Sequence, residues 1–387
     1  MKYDAIIVGG GVIGSSIAYF LTENSNVNVL LCDKGKPPIG ATSISGGLLR
    51  VHHTNRANQY LASESLKIYR DLMLNKGMEF GYDSIGFSLV VGKEHLDSLK
   101  KNVQSMKDFK LPIELFSPQN YRKIETEFFA GKEVGAVCHE PLGGYGDPTQ
   151  SSLTFLNRAL NHGLDLMEGT EVEELILKNN KVVGVKTKFS DIYANKVILA
   201  SNFWSKKLLK KLNLDIPLYT KRLGVVFVKP KSNNKILSHS YIDDTSDTYM
   251  RPFNDGRILI GLKSFVCGSN KYSLNKSIHV EEAKEAIQRA AKRFPALEGA
   301  NILGGRIGFD SYTPDLHPVV GSPEMEGLYL VVGFSGGGYK IAPAIGKYVS
   351  EEISKDIRLK ELQYYRHDRF KKCKKSFFHT DTLYNFM

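Results

Sequence analysis

Cysteine is scarce in this sequence: four among 387 residues, at Cys32, Cys138, Cys267 and Cys373, with no Cys-x-x-Cys pair. That excludes a disulfide framework and a thiolate zinc site as organising devices, and it fits a reducing cytoplasm. Long apolar runs are missing too. "KVILAS" (196–201) and "LYLVVGF" (328–334) are strand-length, well short of the roughly 18 residues of a membrane span. No apolar leader with a small-residue cleavage site precedes the first strand, so no secretory signal is expected. There is no internal repeat, no low-complexity linker and no metal-ligand spacing; no metal is expected. A formal charge of +11 is the one compositional excess. Much of it reads as lysine spread over solvated faces. Part is concentrated in "YYRHDRFKKCKKSFFH" (364–379), a basic aromatic tail that could touch an anionic membrane or cover a partner subunit. No motif that reads RNA or DNA accompanies it, so nucleic acid is not an expected partner.

What is present begins at residue 3. "YDAIIV" predicts a strand buried on both faces, as in the centre of a parallel sheet. Val12 to Glu23 carries apolar residues at helical spacing, and "NVNVLLCD" is the next strand, ending at Asp33 beside Lys34. Between the first strand and the helix stand Gly9-x-Gly11-x-x-Gly14. Gly9 permits a tight turn, Gly11 lets a pyrophosphate reach the backbone, and Gly14 lets helix and strand pack closely. Val12 and Ile13 open the helix whose free N–H groups face the phosphates, and Asp33 accepts from ribose hydroxyls. The carboxylate argues against a 2′-phosphate and hence against NADP. NAD and FAD remain. "GATSISGGLLR" (40–50) favours a flavin: Thr42 and Ser43 would bond phosphate oxygens, and Gly46, Gly47 and Leu48 would run along the ring.

The far end of the chain repeats the device. "LYLVVGF" is a buried strand, "SGGGYK" a glycine-rich turn through Gly336, Gly337, Gly338, Tyr339 and Lys340, and "IAPAIGKYVSEEIS" a helix. A strand feeding a helix through glycines makes a second anion site. Two such sites, one at each end of the chain, suit one elongated cofactor. At a flavin ring, N–H groups and the helix dipole favour the charge that accumulates on reduction.

With these pieces on the page, the sequence resembles the flavin-dependent amine and amino-acid oxidoreductase family that includes sarcosine oxidase, glycine oxidase and D-amino-acid oxidase. The resemblance also rests on "GYGDP" (144–148), "GTEVEELILKNNKVVGVKT", "KVILASNFWS", "YMRPFNDGRILIGLK" and "YTPDLHPVVG". It runs nearly the whole chain and is strongest to the sarcosine oxidase and dimethylglycine or proline dehydrogenase branch. It implies an α/β fold. A discontinuous Rossmann-like FAD lobe would use residues 1–80, 146–215 and 305–360. A substrate lobe built on a mainly antiparallel sheet flanked by helices would use 81–145 and 216–304, leaving 361–387 as a tail. It further implies that Val172 meets the adenine.

Lys340 and Arg50 would anchor a substrate carboxylate, with Arg306 as a competing anchor and Tyr249, Arg251, His52 and His53 as pocket residues. No cysteine lies between Leu303 and Thr313, so the FAD is expected to be non-covalent. Leu259 falls where the family's oxygen-activating lysine stands and Lys263 where it has a histidine, which tilts oxidase toward dehydrogenase with another electron acceptor than oxygen. Asn202 and Phe203 replace the family's Gly-Ala. The implied reaction is hydride transfer from the C–N bond of a small amino or imino acid to the flavin, followed by imine hydrolysis. Alternatives are a 2-hydroxyacid or glycerol-3-phosphate-type dehydrogenase, and a flavin-binding subunit or RNA-associated protein. The chain could act alone or as part of a homo- or hetero-oligomer.

Overall fold

The strand starting at Lys2 is held on both sides. Lys2–Val8 pairs in parallel with Asp191–Leu199 and with Val29–Cys32, and Ile6, Ile7, Leu30 and Leu31 are buried. Residues 2–24, 27–231, 235–268 and 275–372 are described in the computed structural model. The sheet containing these strands runs in the order Val319–Gly321, Leu328–Val332, Asp191–Leu199, Lys2–Val8, Val29–Cys32, Asp165–Met167. Apolar side chains on both faces explain why these strands read as continuous hydrophobic runs rather than alternating ones. The helix Val12–Asn24 packs on one face against the helix Gly338–Lys355. Gly346 makes that approach possible: a Cβ there would lie 2.1 Å from Ser16 Oγ. The two chain ends therefore meet at the centre of one sheet.

The second sheet runs Phe265–Val266, Tyr219–Lys229, Ile258–Gly261, Thr248–Pro252, Ser240–Asp243, Phe87–Gly92, Val134–Glu140, Glu114–Phe116. Its pairs are antiparallel except Ser240–Asp243 with Phe87–Gly92. The turn "NDG" forms as expected, with Gly256 at φ +79° and the Phe253 N–H donating to the Arg257 carbonyl at 2.8 Å. Helix Val280–Ala291 buries Ala283, Ala286, Ile287 and Ala290 under the sheet together with Glu282 and Arg289, and presents Glu281, Lys284 and Gln288 outward. Asn301–Tyr312 pairs with Tyr219–Lys229 along its length. Residues 305–312, expected with the cofactor lobe, are thus the end of a long strand of the antiparallel sheet. The strand reaches the central cavity only at its C-terminal end.

The C-terminal segment also departs from expectation. Tyr365 is fully buried and donates to Asn58 Oδ1 at 2.7 Å, and Arg369 grips both oxygens of Asp315 at 2.7 and 3.1 Å. Tyr365, Arg366 and Arg369 turn inward because each finds a partner on the loop at 313–318 or on a neighbouring helix. The remainder of the tail, 373–387, lies outside the described residues. No helix among the described residues is long and apolar enough to cross a membrane.

Candidate active site

One long cavity runs between the two sheets, from the first glycine turn to the last. At its near end, Gly9 sits at φ +110°, and a Cβ there would lie 2.7 Å from the Ala200 carbonyl oxygen. A Cβ on Gly14 would lie 1.9 Å from the Gly9 oxygen, so no side chain fits between helix and strand. Gly9, Gly11, Val12 and Ile13 line the cavity, whereas Gly14 stands behind them as packing. The Asp33 carboxylate accepts from Gly10 N–H at 2.7 Å and Gly35 N–H at 2.9 Å. It organises the turn while still lining the cavity. Lys34 lies over the Trp204 ring at 3.6 Å, and both line this end together with Val172.

Asn202 resolves the departure at "SNFWS". It adopts φ +54°, the left-handed region that a glycine would take without strain, and asparagine is among the few side chains that accept it. Its Oδ1 accepts from the Ser311 N–H at 2.7 Å, tying this turn to the far end of the cavity. Asn202→Ala loses that bond and the backbone preference and is expected to lower Tm by about 3 °C. Asn202→Gly keeps the backbone preference and should lower it less, as calorimetry would read.

Midway, Thr42, Gly46, Gly47 and Leu48 line the cavity, and Thr42 Oγ1 accepts from Val12 N–H at 3.0 Å. Gly47 is at φ +72°, where a Cβ would meet the Gly146 carbonyl at 2.3 Å, so "SGG" and "GYGDP" approach backbone to backbone. Ser43 turns away; its hydroxyl donates to the Gly40 carbonyl at 2.9 Å.

At the far end, Arg50, Tyr249 and Lys340 come together on the cavity wall. The strand Leu48–Leu49 pairs with Gly144–Tyr145, and buried Glu140 accepts from the N–H groups of Val51 (2.6 Å) and His52 (2.9 Å), which fixes the chain on either side of Arg50. Lys340 lies in the first turn of Gly338–Lys355, a helix without a side-chain cap. Its ammonium is buried and has no hydrogen-bond partner among the described residues. Burial, and then the neighbouring Arg50 guanidinium, push its pKa well below the usual lysine range against the pull of Asp310. Asp310 accepts from Gly336 N–H at 2.9 Å and from its neighbour Ser311 N–H, and burial raises its pKa to about 6. Gly336, Gly338 and Tyr339 also face the cavity; Gly337 does not.

Several expected residues lie elsewhere. Arg306 is exposed, over the Phe227 ring and donating to the Ser43 carbonyl, so it does not reach the cavity. Arg251 is held between the rings of Tyr145 and Phe253, at 4.1 and 4.4 Å. His52 and His53 are buried behind Arg50; burial lowers the His52 pKa to about 3 and that of His53 well below the usual range. Lys263 points outward to Glu285 at 2.7 Å, while Leu259 is buried in the sheet close to Gly46. Three residues of this end were not anticipated from sequence: Lys221, Asp310 and Tyr312.

The loop at 313–318 closes the cavity with Leu316, held at φ +62°. Arg369 steadies it through Asp315 and the His317 carbonyl (2.7 Å). Removing two or three charge-assisted bonds frees the loop. Arg369→Ala is expected to raise KM severalfold with FAD content unchanged, a split that steady-state kinetics and flavin absorbance would read together.

A parallel sheet, a glycine turn opening a helix at each end of one cavity, and an acid closing the second strand define a protein that holds an extended dinucleotide cofactor. The chain belongs to the FAD dependent oxidoreductase family, which it matches over residues 4–352, and it is an FAD-using enzyme. It is 24% identical over 361 residues to the mouse (Mus musculus) mitochondrial pyruvate dehydrogenase phosphatase regulatory subunit, covering 89% of this chain but only 40% of that protein. It is 24% identical to the sarcosine oxidase subunit beta of an Arthrobacter species, covering 92% of this chain and 88% of that one. The crystal structure of L-proline dehydrogenase from P. horikoshii superposes with a TM-score of 0.87 at 26% identity, covering 96% of this chain and 98% of that one. FAD fits the residues present. The glycines at both turns leave no Cβ in the way, Thr42 and the uncapped helix at Gly338 offer polar contacts, and the cavity is continuous between them.

Proposed function

We propose that this enzyme oxidises the C–N bond of a small amino or imino acid, with non-covalently held FAD as the acceptor. The observation that carries the reading is the buried Lys340 side chain on the cavity wall beside Arg50, its ammonium without a hydrogen-bond or ion-pair partner among the described residues. Buried cations are paired in functioning proteins, and a small carboxylate supplies the missing partner.

In this reading Gly9, Gly11, Val12, Ile13, Thr42, Asp33, Lys34 and Val172 hold the ADP half, and Gly46 to Leu48 with Gly336 to Lys340 border the ring. FAD held there would supply the two-electron acceptor for oxidation at the carbon next to nitrogen. Arg50 and Lys340 bind the carboxylate and so fix which carbon faces the cofactor. Carboxylate binding also restores the charged form of Lys340 that burial disfavours. Tyr249 and Leu316 wall the site against water. The histidines are neutral and set back from the cavity, so the substrate amine enters the reaction in its neutral form, and water then hydrolyses the imine. Similarity to a sarcosine oxidase beta subunit supports a further reading, that this chain works within an oligomer.

The test is anaerobic. Amino and imino acids (sarcosine, glycine, proline, D-alanine) should bleach the flavin absorbance of the FAD-loaded chain, and 2-hydroxyacids or glycerol 3-phosphate should not. The reverse pattern would overturn the reading.

A further inference from the structure

The strand Tyr219–Lys229 is covered on both faces, and one of its positions toward the cavity is a lysine. Arg222 faces the outer helix, where it pairs with Glu282 at 2.7 Å. Lys221 and Leu223, on the opposite face, line the cavity. Lys221 stands directly across from Asp310 in the strand register, and its ammonium lies 4.6 Å above the Tyr312 ring. Tyr312 reaches from there to the last glycine turn: a Cβ on Gly336 would lie 3.0 Å from its hydroxyl. Lys221 is therefore at the same end as Lys340 and Arg50, on a different wall.

Among the described residues, no carboxylate lies within ion-pairing distance of Lys221. Asp247 attracts it only from further off and is itself turned to Arg289. Asp310 spends its oxygens on the N–H groups of Gly336 and Ser311. Burial disfavours the charged lysine, in keeping with an ammonium that waits for an anion. A substrate with one carboxylate engages Arg50 and Lys340 and leaves this third cation unmatched.

We propose that Lys221 is a specificity-determining residue that binds a second anionic group of the substrate, so that the preferred substrate is a dicarboxylic amino or imino acid. The inference rests on the proposed C–N oxidation and narrows its substrate class. One charge-assisted bond to a partly buried partner corresponds to a preference of about 30-fold.

The experiment uses the FAD-loaded full chain, anaerobically, with iminodiacetate and D-aspartate against sarcosine, glycine and proline. The wild-type protein should bleach with the dicarboxylates about 30-fold more efficiently. Lys221→Met should erase that preference while leaving the monocarboxylate rates and FAD content unchanged, and Lys221→Arg should retain most of it. Equal loss for both classes, or a wild-type preference for monocarboxylates, overturns this proposal and leaves C–N oxidation standing. An effect of Lys221→Met confined to flavin reoxidation overturns it as well and assigns the lysine to the electron acceptor. Bleaching by no amine at all overturns both readings.

Discussion

Lys340→Met is expected to leave the protein yellow and close to inert toward amino acids. Methionine matches the lysine stem in volume, so the helix at Gly338–Lys355 and its packing are kept. What disappears is one of the two buried cations at the closed end of the cavity. A carboxylate entering beside Arg50 alone would be half-compensated in a dry site, which costs about 2–5 kcal/mol and thus reduces kcat/KM by roughly 30-fold to several thousand-fold. Most of the loss should fall on KM if the carboxylate contact is uniform along the reaction, and on kcat if its role is to aim the reacting carbon. Unchanged kinetics would remove Lys340 from the site.

Gly14→Ala has the second largest expected effect, and it acts on the fold before the cofactor. The added methyl would lie 1.9 Å from the Gly9 carbonyl oxygen, which belongs to backbone fixed between two parallel strands. Neither side can yield cheaply, so the helix Val12–Asn24 must shift off the sheet at a cost of about 3 kcal/mol or more. The expected product is colourless, with a depressed Tm even before FAD is added. Gly11→Ala supplies the contrast. Its Cβ would approach only Thr42 Oγ1, at 3.0 Å, and would project into the cavity. The FAD-free chain should melt near the wild-type temperature, while FAD affinity falls about tenfold or more. Equal behaviour of the two variants would contradict the separate packing and binding roles given to these glycines.

The parts that were legible in the sequence are those in which backbone geometry dictates residue type. Gly9 and Gly14 could be read because close backbone approach admits only glycine there, Gly336 because the turn takes a positive φ, and continuous apolar strands marked the parallel sheet. The site residues were harder wherever the answer depended on which face of a strand looks inward. Arg306 and Lys221 occupy paired strands of one sheet, yet Arg306 is solvent-exposed and Lys221 faces the cavity. A cation in an alternating strand reads as solvated until the partner sheet is known. Arg251 and the pair His52–His53 adjoin site residues in sequence but are buried among their own neighbours. Ser43 differs from Thr42 only in pointing back along a short helical turn. Asn202 carries the backbone role of the expected glycine, a substitution legible from asparagine's tolerance of positive φ. The inward turn of Tyr365, Arg366 and Arg369 could not be read from composition, because basic aromatic segments look alike whether they meet lipid or an acidic loop.

The most direct measurement is a crystal structure of the chain loaded with FAD and a small unreactive carboxylate. One FAD molecule should touch both Gly11 and Gly338, with no bond from protein to flavin, and the carboxylate should lie within hydrogen-bond distance of Lys340 Nζ and the Arg50 guanidinium. A flavin ring lying away from Lys340, or a carboxylate bound elsewhere, would contradict the account.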